Sequence, residues 1–154
     1  MRILFINPNS KKSKGFPQKC FPPISLLYLA SFLLENNYNV SVIDANALRL
    51  SDEEIIKKIA EFKPDILGIP LFSDIFFETY CLIKKIKNLY PNLKIVLGGP
   101  HINGAGSSVL RDFKEVDFAI KGEAEFAILK LCQALEKKLD ISSVEGLYYR
   151  KDGE

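Results

Sequence analysis

Imidazole and thiol are scarce in this 154-residue sequence, which has one histidine, His101, and three cysteines, Cys20, Cys81 and Cys132. The cysteines stand 61 and 51 positions apart, a spacing that fits neither paired metal ligands nor a disulfide framework. That usage suits a reducing compartment, and a cytoplasmic protein is expected. Charge of one sign is not in excess either. Twenty-one Lys and Arg against 19 Asp and Glu leave +2, so no nucleic-acid or anionic-membrane partner is expected from overall charge. The longest apolar run, Phe21 to Leu34, has 14 residues and stops at Glu35, short of the about 20 that a membrane span needs. It reads as a buried helix, and no membrane span is expected. No secretory leader is expected, because Met1-Arg2 passes directly into the strand-like run Ile3–Asn7.

What is present is an ordinary globular composition, 47% apolar and 26% charged, enough for the core of one domain. Five short β-branched or aliphatic runs recur: Ile3–Ile6, Val40–Ile43, Asp65–Ile69, Ile95–Leu97 and Phe118–Ile120. Segments of helical length separate them: Pro23–Glu35, Ser51–Phe62, Phe76–Tyr90, a short stretch near Ser107–Phe113, and Glu123–Lys138. Continuous apolar strands alternating with amphipathic helices predict a parallel sheet covered on both faces. The expected fold is α/β and doubly wound, a flavodoxin-like (Rossmann-like) three-layer sandwich with a five-stranded parallel sheet. Local chemistry agrees. Pro22-Pro23 opens the first helix, Ser51 with Glu54 makes a capping box, and Pro64 and Pro91 follow the second and third helices and stop them. Residues 141–154 read as a sixth short strand or hairpin ending on the turn signal Asp152-Gly153.

In such a sheet ligands bind beyond the carboxyl ends of the strands, beside the switch in strand order. The first such loop carries Lys11, Lys12, Lys14 and Lys19 around Gly15: either it closes over a phosphate or other anion, or it is a solvated crossover. After the fourth strand, Gly98-Gly99-Pro100-His101 lets backbone approach something bulky, or simply makes a tight turn. His101 is the only imidazole available as ligand, base or hydrogen-bonding group, with no second His or Cys nearby in sequence. Ser73 offers a hydroxyl after the third strand, as a helix cap or a ligand contact. Glu123 and Glu125 fall in a first helical turn after Gly122. The helix dipole accounts for Glu125, whereas Glu123 sits where a ligand edge would pass.

Several sites are excluded. There is no G-x-x-x-x-G-K-[ST] phosphate loop, no G-x-G-x-x-G and no G-x-S-x-G elbow. Asn7-Pro8-Asn9 replaces the acidic pair that phosphoacceptor receiver domains carry after the first strand.

Taken in order, Ile3–Pro8, Pro22-Pro23 with Leu27–Ala30, Val40–Ala45, Pro64–Ile69, Leu97–His101, Asp117 before Gly122–Glu125, and Gly146–Arg150 form a set running along almost the whole chain. This set resembles the N-terminal cobalamin-binding domain of radical S-adenosylmethionine proteins, the group that includes anaerobic magnesium-protoporphyrin ester cyclase and many methyltransferases. The resemblance implies a corrinoid over the carboxyl edge of the sheet, its nucleotide tail inserted between sheet and helices. Gly98 and Gly99 would admit the tail and Ser73 would contact it. Asn7, Pro8, Leu71, Phe72, His101, Gly122 and Glu123 would lie along the corrin rim, and Pro100 would belong to the same cofactor-binding set. The D-x-H-x-x-G motif of classical cobalamin enzymes is absent, so the expected mode is base-off without that histidine beneath the cobalt. Ser25 and Ala124 stand where the family pattern usually has glycine.

The C-x-x-x-C-x-x-C motif that would hold an iron–sulfur cluster is absent too, and in the family it follows soon after the Gly146–Arg150 segment. The expected organisation is therefore a cobalamin-binding-like domain over residues 1–140. Residues 141–154 then form a strand or linker toward a radical SAM barrel that would hold the 4Fe-4S cluster and S-adenosylmethionine. By itself the chain is expected to bind a corrinoid and not to turn over. The alternative is a cofactor-free flavodoxin-like interaction or regulatory domain, and a small flavin or nucleotide enzyme stands third.

Overall fold

The computed structural model describes residues 1–9 and 21–151; the lysines of the first loop and the Asp152-Gly153 turn lie outside them. In chain order the elements begin with β1 (Arg2–Asn7), α1 (Ile24–Glu35), β2 (Asn39–Asp44), α2 (Ala45–Leu48), α3 (Asp52–Phe62), β3 (Ile66–Pro70) and α4 (Phe76–Leu89). They continue with β4 (Lys94–Gly98), α5 (Pro100–Ala105), α6 (Val109–Asp112), β5 (Phe118–Ile120), α7 (Glu125–Lys137) and β6 (Leu147–Tyr149). Single 3-10 turns precede α4 (Ser73–Ile75) and α6 (Gly106–Ser108).

The sheet order is β2-β1-β3-β4-β5-β6. The first five strands are parallel, with Ile3 paired to Val40 on one side and Ile66 on the other, and Pro70 to Gly98. This is the doubly wound, flavodoxin-like order, with its switch point between β1 and β3. Side chains alternate across the strands, so each face has its own core. Ile3, Phe5, Val96, Phe118 and Ile120 pack with Leu26 and Leu33 of α1 and with Ile128 and Leu131 of α7. Leu4, Ile6, Leu67, Ile95 and Leu97 pack with Ile55 and Ile59 of α3, Ile83 and Ile86 of α4, and Ile102 of α5.

The sheet has six strands where five parallel ones were expected. β6 pairs antiparallel with β5, Phe118 opposite Tyr149 and Ile120 opposite Leu147. An antiparallel edge strand on a parallel sheet satisfies the β5 backbone that would otherwise face solvent. Arg150 fixes it there, its guanidinium donating to the carbonyls of Leu110 (2.8 Å), Lys114 (2.9 Å) and Val116.

The capping box forms as expected: the Glu54 amide donates to Ser51 Oγ and the Ser51 amide to Glu54 Oε2. α1 corrects the expectation of a buried helix. Only Leu26, Ala30 and Leu33 are buried, while Ile24, Leu27, Tyr28 and Leu34 face outward, since a helix lying on one side of a sheet buries a single stripe however apolar the rest. Glu123 also moves: α7 begins at Glu125, and Gly122, with φ +81°, turns the chain before the helix, leaving Glu123 outside the first turn. Three helices end on cationic residues in left-handed backbone, α2 on Arg49 (φ 51°), α3 on Lys63 (φ 52°) and α7 on Lys138 (φ 53°).

At the amino edge of the sheet Asp117 joins β4 and β5. Its carboxylate accepts from Lys87 Nζ at 2.7 Å, Lys94 Nζ at 3.0 Å and the Ile95 amide at 3.0 Å. Burial pushes this carboxyl up, but the hydrogen bonds from Lys87, Ile95 and Lys94 prevail and hold it below the ordinary carboxylate value. On α7 the buried Cys132 thiol is pushed up to about 12, by burial first and then by the charge of Glu136. Among the described residues no helix is long and apolar enough to cross a membrane.

Candidate functional site

The carboxyl ends of β3, β4 and β5 are where side chains run out on the α1/α7 face. At Gly68 a Cβ would come within 2.5 Å of the Phe5 ring, so the missing side chain leaves room for the edge of that ring against β3. One strand over, a Cβ on Gly98 would meet nothing within 4 Å, and the same holds for Gly122 after β5. Gly98 has no positive φ to require glycine. Its lack of a side chain leaves space.

That space is a cavity of about 150 Å³ between sheet and helices. Phe5, Leu26, Leu29, Val96, Ile120 and Ile128 form its apolar wall, and the polar side chains on it, Ser25, Glu123 and Glu125, come from the ends of α1 and α7. Ala124 lines the same rim. An apolar cavity of this size takes an aromatic ring in place of water. Beside it, at the switch point, a recess of about 500 Å³ is lined by Asn7, Pro8, Pro23, Asn46, Phe72 and Asp74 among others. Ser25, Leu26 and Pro70 belong to both, so the two form one continuous depression.

Its floor is set by backbone hydrogen bonds. The Leu71 amide donates to the Gly98 carbonyl (2.8 Å) and the His101 amide to the Leu71 carbonyl (3.1 Å), which presses Gly99 against Leu71. Gly99 has φ +93°, and a Cβ there would lie 3.1 Å from the Leu71 nitrogen and 3.2 Å from its oxygen. Glycine is required at this position both for conformation and for space. Pro100 is the first residue of α5, and the Gly122 amide donates to Asn103 Oδ1 at 2.9 Å. On the β1 side Asn7 Nδ2 donates to Asp44 Oδ1 at 2.9 Å, and that carboxylate also caps α2 through the Ala47 amide.

Ser73 and His101, 28 residues apart, meet here: Oγ and Nδ1 share a hydrogen bond of 2.8 Å, with the imidazole 5.1 Å from the Phe76 ring. Ser73 caps no helix. The pair is exposed, with one ring nitrogen of His101 engaged by the hydroxyl. Among the described residues no group of three or more His, Cys, Asp or Glu could hold a metal ion.

The structure therefore gathers Gly98, Gly99, Gly122 and Glu123 on the cavity, Asn7, Pro8 and Phe72 on the recess, and Ser73 with His101 beside them. Leu71 differs, because its side chain is fully buried in the α3/α4 core and only its backbone serves the edge. Phe5, Leu29, Ile120 and Ile128 join the site without having been singled out. Gly68, an isolated glycine inside a strand pattern, was the signal that could have revealed Phe5. A larger open groove of about 970 Å³, lined by Lys63, Pro64, Tyr90 and Pro91 among others, lies at the amino edge, away from the strand ends where ligands of such sheets bind.

Comparison with known proteins adds to this geometry. The sequence matches the B12 binding domain family over residues 17–131. It is 32% identical over 154 residues to an uncharacterized methyltransferase of Pyrococcus horikoshii, covering 99% of this chain and 33% of that protein. To the anaerobic magnesium-protoporphyrin IX monomethyl ester cyclase of Synechocystis sp. it is 32% identical over 155 residues, covering 99% of this chain and 31% of the cyclase. The chain thus spans about a third of the length of these relatives. Its backbone is similar to that of the cobalamin-dependent S-adenosylmethionine radical enzyme OxsB, solved with aqua-cobalamin and S-adenosylmethionine bound. The TM-score is 0.82 at 20% identity over 99% of this chain and 21% of that one, a likeness of fold. With a family match that runs over well more than half of the sequence, the chain belongs to the B12-binding domain family.

Proposed function

We propose that this chain is the cobalamin-binding domain of a radical S-adenosylmethionine enzyme of the methyl-transfer or oxidative cyclase type. One observation carries the reading: Gly98, unstrained and facing open space, keeps an apolar cavity clear at the carboxyl edge of the sheet. Gly98 and the apolar wall beside it would hold the cofactor's nucleotide base between sheet and helices, and Asn7, Pro8 and Phe72 would hold the corrin at the recess. Glu123 would accept from amides of the corrin fringe, and the Ser73–His101 pair would offer polar contacts beside it. With its tail held in the cavity the corrinoid would be base-off, since the sequence has no D-x-H-x-x-G histidine. The corrinoid, when bound, supplies cobalt-centred methyl-transfer or radical chemistry. This chain's residues bind it, orient it and keep water from the base.

In the same reading residues 1–140 are the binding domain and 141–154 lead toward a radical SAM barrel that holds the 4Fe-4S cluster and S-adenosylmethionine. Relatives about three times as long as this chain are consistent with that organisation. Titration of the purified 154-residue chain with hydroxocobalamin tests the proposal. The expected result is a shifted corrin spectrum and co-elution on gel filtration, and the reduced cob(II) form should lack nitrogen hyperfine splitting from an axial base. An unchanged spectrum with no co-elution sinks it and leaves a flavodoxin-like interaction domain.

A further inference from the structure

The apolar wall of the cavity past Gly98 offers no side-chain hydrogen bond to a polar ligand. It is made by Phe5, Leu26, Leu29, Val96, Ile120 and Ile128, of which Phe5, Leu26, Val96, Ile120 and Ile128 are at most 4% exposed. None of these side chains has a hydrogen-bonding atom. The polar side chains of the lining, Ser25, Glu123 and Glu125, sit at helix ends: Ser25 in the first turn of α1, Glu123 before α7, and Glu125 as its first residue. Of the backbone groups at the cavity mouth, the Gly98 carbonyl accepts from the Leu71 amide and the Gly122 amide donates to Asn103.

Natural corrinoids differ in the lower base of their tail. A dimethylbenzimidazole is apolar apart from one ring nitrogen at its edge, whereas an adenine carries an exocyclic amine and several ring nitrogens that are hydrogen-bonded in water. Resting on the proposed function, we infer that this cavity selects corrinoids by their lower base, admitting the benzimidazole of cobalamin and rejecting a purine. The physical reason is asymmetric. An apolar wall gains from burying an apolar ring, but every donor or acceptor of a purine that enters it is stripped of water and left unpaired. One such group lowers affinity roughly 30-fold, which is about 2 kcal/mol at 1.4 kcal/mol per tenfold.

The test compares three ligands on the 154-residue chain by absorbance titration: cobalamin, the corrinoid with adenine as lower base, and cobinamide, which has no base. Cobalamin is expected to bind at least about 30-fold more tightly than the adenine form, and the adenine form about as weakly as cobinamide. In Gly98→Leu, whose added side chain occupies the cavity, the three should converge. Equal binding of cobalamin and the adenine form overturns the inference and leaves the proposed function standing. So does cobinamide binding as tightly as cobalamin, or a preference that persists in Gly98→Leu. Failure of all three to bind removes the proposed function itself, and the inference with it.

Discussion

Replacing Gly98 with leucine separates the fold's needs from the cofactor's. The new Cβ meets nothing within 4 Å, and Gly98 is not in left-handed backbone, so the substitution brings neither a clash at Cβ nor conformational strain. Removing glycine from a strand end is worth up to about 1 kcal/mol of stability, and the added carbons pack against an existing apolar wall. The melting temperature should hold or rise. The cofactor sees the opposite. An aromatic base that buries roughly 150 Å² gains about 4 kcal/mol at ~25 cal/mol per Å². Excluding it costs roughly 500-fold in affinity, and exclusion of half that surface still costs about 20-fold. Hydroxocobalamin titration by absorbance, with a thermal melt of the same preparation, reads both effects. A Gly98→Leu protein that melts like the parent and binds within about threefold of it would refute the assignment of this cavity to the corrinoid tail.

Gly99→Ala should behave differently from its neighbour: a Cβ 3.1 Å from the Leu71 nitrogen at φ +93° makes it destabilising by about 1–3 kcal/mol, visible in urea melts without any ligand. Asp117→Asn removes a carboxylate whose folded value lies below its unfolded one. The contribution of this group is therefore fully present above the unfolded value, about 3.9, and is lost as pH falls through the folded value. The variant should be less stable at neutral pH by about 2 kcal/mol and show a flatter acid limb in pH-dependent melts; an unchanged acid limb would count against the junction. Cys132, with its thiol pushed up to about 12 by burial and Glu136, should resist a disulfide reagent at pH 8 in a Cys20→Ser, Cys81→Ser background and react on unfolding. Rapid native labelling would contradict its place in the core.

The inner parallel strands were legible because they are buried on both faces, so Ile3–Ile6 and Ile95–Leu97 read as unbroken apolar runs whatever their partners, whereas the edge strand β2 buries only Ile43. α5 was not legible. Pro100–Ala105 has no apolar period, and its helix forms because Ile102 is anchored in the core and the His101 amide reaches the Leu71 carbonyl. α1 reads as wholly buried for the converse reason, since summed hydropathy carries no direction and cannot tell Leu33 from Leu34. At the site, the glycines after β4 were visible as glycines. Their division of labour was not, because Gly99 is demanded by Leu71 on the neighbouring strand and Gly98 by nothing in the fold. The Ser73–His101 contact joins loops after adjacent strands and has no signature along the chain.

The left-handed helix ends at Arg49, Lys63 and Lys138 bear on how freely this protein can change. An L-residue in that conformation sits about 1–2 kcal/mol above glycine, offset by the attraction of its cation to the helix terminus and by the extra freedom glycine has when unfolded. Exchange for glycine is thus worth a fraction of a kcal/mol at each position, and none of the three lines the cavity or the recess. The chain carries an unused margin that lies apart from its site. Costly variants at the carboxyl edge can be rescued by substitutions at helix ends elsewhere, so that stability and recognition are free to evolve on separate residues.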